Sequence, residues 1–356
     1  MNSSTSSTVP VYLRQRHSST SNKSVIRRIV VWPAWAIIVS LVVASDAVSD
    51  FPEWLMYVPF VASFILFGLP HGAVDHLVLI RLRGQKANSS SVVRAILPYL
   101  ALAIGYLLVW WTVPAAAFLF FIAITWFHWG QGDLHSILVL GKARHLSSRL
   151  LRVMSIVIRG GLPMLIPLLA FPEIYRGVAQ SIVGLIRPDA IVHLEWLFAD
   201  RVLAAAGLGF ALLVTVYFLS SLSGENGARR SWLEDVAEVL LLSAFFSVVH
   251  PVLAVGVYFC LWHATRHITR ILLVDGRQLT TTACFVSGVR QFYRDSAPTT
   301  SAALVLMMLL YFAAPYTPTN LQEWTALYLV LIAVLTLPHV WVVSRMDRAE
   351  RIWARG

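Results

Sequence analysis

The chain has 356 residues, of which 58% are hydrophobic and 13% charged, and its mean hydropathy is +0.70. A soluble domain carries about a quarter charged residues, so this composition excludes an ordinary soluble enzyme and implies a multi-pass membrane protein. The net charge of +10 does not mark a nucleic-acid binder, because Lys and Arg cluster at the ends of apolar runs, where they set topology and meet anionic headgroups.

Residues 1–28 are rich in Ser and Thr, basic, and without an apolar core before Val25. They read as a disordered cytoplasmic tail, with a cleaved export signal as the alternative. Ten apolar runs follow, near 29–46, 54–80, 95–112, 114–139, 151–171, 202–221, 232–249, 251–274, 301–316 and 324–344. A bilayer span takes about 20 residues, and only the ninth run is short. The expected fold is all-α: a polytopic bundle of about ten transmembrane helices, with 29–345 as one catalytic membrane domain and 346–356 as a short basic tail.

Orientation follows from the loops. Arg14, Arg16, Lys23, Arg27 and Arg28 precede the first span, and basic clusters recur after every second one, ending with Arg345, Arg348, Arg351 and Arg355. The opposite side carries Asp46, Asp50 and Glu53 or no charge, so both termini are expected to be cytoplasmic. Only 172–201 breaks the pattern, and 174–187 reads as an amphipathic helix lying on the outer surface. Cys260 and Cys284 are too few for a disulfide framework or a Cys-based zinc site.

Three apolar stretches carry histidines: Gly68–His76 with His71 and His76, Trp126–Asp133 with His128, and Trp262–His267 with His263 and His267. An imidazole in hydrocarbon needs a hydrogen-bond partner or a metal. His71, His128, His263 and His339 all fall roughly 12 to 18 residues into helices running in one direction, so they share a depth on a 1.5 Å rise. His263 and His267 are i, i+4 and can chelate one ion. His71 and His76 are rotated about 140° apart on a regular helix, although Pro70 and Gly72 permit a break. His128 and His135 are about 10 Å apart in rise, too far for one ion.

The economical ligand set is therefore His71, His128, His263 and His267. Imidazole suits Fe, Zn, Cu or Ni, so ligand type alone leaves the metal open. Asp75, Asp133 and Glu238 are candidates to accept the second ring N–H of a ligand. His76, Arg266 and His339 complete the candidate supporting layer. The plainer readings remain beside these: His250 and His339 bonding backbone carbonyls, Asp75 pairing with Arg81, Arg266 bonding an Asp or Glu across helices without a role in chemistry, Gly130 and Gly132 permitting close helix packing. His17, His145 and His193 fall in tails or loops. Trp126, Phe127, Trp129, Tyr258, Phe259 and Trp262 read as core or interface belt, or as the lining of a slot for a long polyene.

At these residues the chain resembles the Brp/Blh family of bacterial and archaeal β-carotene 15,15′-dioxygenases. The likeness is carried by Gly-Leu-Pro-His-Gly-Ala-Val-Asp-His at 68–76, Phe-His-Trp-Gly-Gln-Gly-Asp at 127–133, His250-Pro251 with Tyr258–His267, and Leu337-Pro338-His339. It implies a non-haem Fe(II) enzyme of a prokaryotic cell membrane. Such an enzyme splits the central 15,15′ double bond of β-carotene with O2 into two all-trans-retinals. The family's iron ligands map onto His71, His128, His263 and His267, and a rhodopsin is the implied recipient of retinal. Two rival classes remain. A membrane di-iron hydroxylase or desaturase needs more clustered histidines than the 263–267 pair supplies. A carotenoid- or retinal-binding accessory protein or a transporter would use intramembrane His and Asp without catalysis.

Overall fold

The computed structural model describes residues 20–46, 51–141, 143–222 and 228–353. Arg14, Arg16 and His17 of the N-terminal tail, Asp50, Lys142 and Arg355 lie outside the described residues. Among those described there is no strand.

Helix α1 runs as Thr20–Ile26, a π turn Arg27–Val31, and Trp32–Val43. Helix α2, Glu53–Leu82, contains a π turn at Ser63–Phe67 and a break at Val74. Then come α3 (Ser89–Thr112), α4 (Pro114–Val139), α5 (Arg149–Ala170) and α6 (Pro172–Gly184). A 3₁₀ segment, Pro188–Phe198, leads into α7 (Asp200–Ser221) and α8 (Ala228–Val248). Helix α9 is built from Pro251–Val257, a π segment Tyr258–Ala264 and Thr265–Val274. Helices α10 (Thr282–Ala313) and α11 (Leu321–Ala349) close the bundle.

The ten expected runs thus all lie on long helices, and seven of these are long and apolar enough to cross a membrane by length and composition. The three that are not are α4, α8 and α9. They carry His128 and Asp133, Asp235 and Glu238, and His263, Arg266 and His267, so buried polar groups displace the apolar residues a span otherwise uses. The outside of the bundle is correspondingly greasy: Leu208, Leu212 and Leu219 on α7 and Val305, Leu309 and Phe312 on α10 are all more than half exposed. A soluble protein hides such a surface, whereas a lipid-facing one needs it.

Two expectations change. The ninth helix begins at Thr282 rather than 301: Arg290 and Arg294, whose charges read as part of a basic loop, lie on the helix itself. The Thr281 hydroxyl caps this start by accepting from Cys284 N at 3.2 Å, and Asp295 pairs with Arg81 at 3.4 Å. Part of the basic N-terminal tail, Thr20–Ile26, is helical. The 174–187 stretch is helical as far as Gly184, within Pro172–Gly184, and buries Ala179, Ile182 and Val183 against the bundle.

Candidate metal centre

Local chain chemistry places His71. Pro70 has no backbone N–H, so the carbonyl of Leu66, four residues earlier, loses its helical donor. The Tyr293 hydroxyl on α10 donates to that oxygen at 2.6 Å. The π turn at Ser63–Phe67 sits immediately before this point, as such turns often do near functional sites. His71 then bonds the Phe67 carbonyl through Nδ1 at 3.1 Å, which leaves Nε2 for other work. A second π segment, Tyr258–Ala264, carries His263 on α9.

The structure brings five imidazoles together. His128 and His263 have ring centroids 4.7 Å apart, with their Nε2 atoms at 3.1 Å. His71 lies 5.8 Å from His263 and 5.5 Å from His267 by ring centroid. His263 and His267 are stacked almost parallel at 6.4 Å. His339 is 4.9 Å from His71, 4.7 Å from His128 and 5.0 Å from His267. All five are buried, between 2% and 7% exposed, and ligand atoms of His71, His128 and His339 lie within 4.8 Å of one another.

These rings suit a metal ion. His267 Nε2 and His339 Nε2 are buried without any hydrogen-bond partner, a costly state that a metal would relieve. The 3.1 Å between His128 and His263 nitrogens is close to what two imidazoles on one ion at about 2.1 Å would show. All-nitrogen ligation fits a borderline first-row metal.

His339 departs from expectation. Its Nδ1 bonds Asp75 Oδ2 at 2.8 Å rather than a backbone carbonyl. Gly72 lies beside it, where a Cβ would make an ordinary contact of 3.5 Å with that nitrogen. Asp75 is therefore not the partner of Arg81, which pairs with Asp275 at 2.6 Å instead. His76 lies beyond the break at Val74, half-buried on the cavity wall described below. His250 Nδ1 has no partner, so the backbone bond expected for it is not made through that atom.

Asp133 and Glu238 do not accept from a histidine in the cluster. They belong to a buried network one turn away, organised by Arg159, which is 0% exposed. Arg159 reaches Asp133 Oδ2 at 3.2 Å, Glu238 Oε2 at 2.8 Å, and Asp235. Arg266 bonds Glu238 Oε1 at 3.0 Å, approaches Asp133 Oδ1 at 3.4 Å, and stacks its guanidinium 3.7 Å over Trp262. Trp262 Nε1 donates to Asp133 at 3.0 Å. His145, expected only in a loop, is buried between Ser231 Oγ at 3.1 Å and Asp235 Oδ2 at 3.0 Å. The signal for this network was in the sequence as Arg159 inside the apolar Ile156–Ile166 run, an arginine that hydrocarbon tolerates only when paired.

Helices α4 and α5 approach closely enough to align these groups. A Cβ on Gly130 would strike the Ile156 carbonyl, and one on Gly160 the Trp126 carbonyl. Replacing Gly160 by leucine is expected to push the helices apart and lower the thermal midpoint of the detergent-solubilised protein, with an overpacking cost of about 1–3 kcal/mol or more.

A cavity of about 540 Å³ adjoins the rings, with His71, His76, His128 and His339 in its otherwise mostly apolar wall. Trp129 and Phe259 also line it. Trp126, Phe127, Tyr258 and Trp262 are not on its wall: Trp126 donates to the Val157 carbonyl at 2.7 Å, Phe127 is 38% exposed, and Tyr258 stacks on Trp262 at 6.2 Å. Thr125, which the sequence did not single out, lines the cavity one turn before His128 with its buried hydroxyl unpartnered.

Comparison with known proteins identifies the family. The sequence profile of a family described as Beta-carotene 15,15'-dioxygenase matches residues 62–347. A Halobacterium salinarum protein named "Probable beta-carotene 15,15'-dioxygenase Blh" is 43% identical over 324 residues, covering 89% of this chain and 91% of its own. From the same species, "Probable beta-carotene 15,15'-dioxygenase Brp" is 26% identical over 308 residues, covering 83% and 84%. A shorter match, 31% over 75 residues, joins the chain to "Beta-carotene 15,15'-dioxygenase" of an uncultured marine bacterium, covering 21% and 27%. No solved structure matches. With the profile spanning every clustered histidine, the chain is a multi-pass membrane enzyme that belongs to the β-carotene 15,15′-dioxygenase family.

Proposed function

We propose that this protein cleaves the central 15,15′ double bond of β-carotene with O2, giving two molecules of all-trans-retinal, at an Fe(II) held by His71, His128, His263 and His267. The observation that carries the reading is the cluster of buried imidazoles on the wall of a large apolar cavity. Iron would supply the activation of dioxygen, which reacts with a closed-shell polyene only slowly by itself. The chain's own residues do the rest. The cavity wall holds the polyene extended and excludes water, Trp129 and Phe259 flank its path beside the rings, and the Thr125 hydroxyl is free to donate to a developing carbonyl oxygen. Each oxygen atom of O2 ends on one carbon of the broken bond, so no external reductant is consumed.

His339 stands beside the four ligands as a fifth imidazole, held by Asp75. Changing Asp75 to alanine is expected to free the His339 ring that packs against His71, His128 and His267, and so lower iron affinity by less than the about 10–100-fold that losing the partner of a metal-bound histidine costs. Iron titration of the purified apoprotein checks this, and unchanged affinity would contradict it. The membrane part, 29–345, acts as one catalytic unit in the cell membrane with both termini cytoplasmic, taking substrate from lipid and returning retinal there for a rhodopsin. Nothing in the charge pattern calls for nucleic acid.

The test is to purify the protein, measure iron, and run the reaction under ¹⁸O₂ with immediate reduction of the aldehydes. One iron per chain and one label in each retinol support the reading. A metal-free preparation that binds carotenoid without converting it would replace it with a carrier role.

A further inference from the structure

The cavity beside the histidines has a measurable length. On α4, Phe118, Phe121, Ile122, Thr125 and His128 line it from one helical face. Phe118 and His128 are ten residues apart, about 15 Å on a 1.5 Å rise. On α11, Leu329 and His339 line the same cavity and are also ten residues apart. Two helices therefore agree that the apolar arm extends from the rings by about the length of one retinal.

That arm is closed by α6. Ile174, Tyr175, Val178 and Ile182, which share one face of this short helix, form its end wall. The wall is pinned in place. Gln322 Nε2 on α11 donates to the Gly177 carbonyl at 2.9 Å and to Ser181 Oγ at 2.7 Å. Arg176 reaches Glu195 at 3.4 Å and stacks 4.8 Å over Phe198. Away from α6 the cavity is lined by Ile96 and Leu100 on α3 and by Ala302 and Leu306 on α10. Leu100 is 48% exposed and Ala302 is also exposed, so this side reaches the lipid-facing surface.

We propose that α6 is the end stop that selects which double bond is cut. The ring of the substrate seats against Tyr175 and Ile182, which sets the central bond beside the histidines, while the other half trails between α3 and α10 toward lipid. A symmetric polyene offers a row of chemically similar double bonds, and distance from a fixed wall distinguishes the central one without any polar contact. The inference rests on the dioxygenase reading above. Every cut has the same balance: one O2 adds, one C=C breaks, and two C=O groups form. A substrate that slides deeper by one double bond therefore gives two unequal carbonyl products instead of two retinals.

The experiment compares wild type with Tyr175→Ala, which deepens the arm, and Val178→Trp, which shortens it. Each is expressed in a bacterial host that accumulates β-carotene, with products resolved by liquid chromatography and mass spectrometry and iron measured on purified protein. The expected result is a long apocarotenal and its short partner rising to at least a tenth of the products with Tyr175→Ala. For Val178→Trp, β-carotene turnover should fall about tenfold or more, while an apocarotenal lacking one ring is still cut to retinal. Variants that bind iron as wild type does and yield retinal alone, at unchanged turnover, would overturn the proposal. Absence of retinal from wild type itself would instead remove the dioxygenase reading, so the two failures are told apart by the control.

Discussion

Replacing His263 with alanine is expected to abolish retinal formation and strip the protein of iron while leaving the chain in the membrane. His263 sits at the centre of the cluster, with its Nε2 3.1 Å from that of His128 and its ring stacked on His267. The residue is 2% exposed, so its removal leaves a position shut off from bulk water. Loss of a partner behind a ligand costs about 10–100-fold in metal affinity, and loss of a ligand is expected to exceed that. Alanine leaves a small void beside Trp129, which the surrounding helices tolerate better than a misplaced polar group. Iron content and retinal yield should therefore collapse together, with membrane-resident protein near the wild-type level. Retention of both in His263→Ala would remove this histidine from the site.

The second large effect is structural. Arg159→Met is expected to destabilise the protein by about 3–5 kcal/mol, the cost of leaving buried charges unpaired. Asp133, Asp235 and Glu238 all face this guanidinium, and Arg266 then remains the nearest cation to Asp133 and Glu238. Because those three carboxylates lie on α4 and α8, the loss should separate the helices that carry His128 and the network beneath it. Arg159→Lys keeps the charge but not the planar fork, so it should recover only part of the stability. Thermal unfolding of detergent-solubilised protein, read alongside iron content, checks the order wild type, Lys, Met. Equal midpoints for all three would show that the network contributes nothing.

The histidines were legible in the sequence because depth along a helix is a matter of counting. His71, His128, His263 and His339 fall at matched distances from their helix starts, and the structure gathers them. Which side of each helix faces its neighbours is not countable. That is why His339 reads as a lone imidazole while it in fact meets three other rings and Asp75. The same limit hid Arg159 on α5 as a partner of Asp133 and Glu238, whereas Arg266, expected to bond an Asp or Glu across helices, does so with both. Arg290 and Arg294 resemble loop charges in the sequence, yet they lie within α10, where Asp295 accepts from Gln291 at 2.7 Å and pairs with Arg81 at 3.4 Å. Helix α6 was visible as amphipathic, but its role as a cavity wall depends on contact with α11 through Gln322. Composition, in contrast, was enough for the fold class, since a chain this apolar has few ways to satisfy its backbone except as helices in a bilayer.

The most direct test of the whole account is made in bacterial cells that accumulate β-carotene. Wild type and His263→Ala are expressed to equal levels in the membrane, and the extracts are separated by high-performance liquid chromatography. Cells with wild type are expected to lose their orange colour and form two retinals for each β-carotene consumed, while cells with His263→Ala keep their β-carotene. Unchanged β-carotene beside folded, iron-loaded wild type would contradict it, and so would equal bleaching by both proteins.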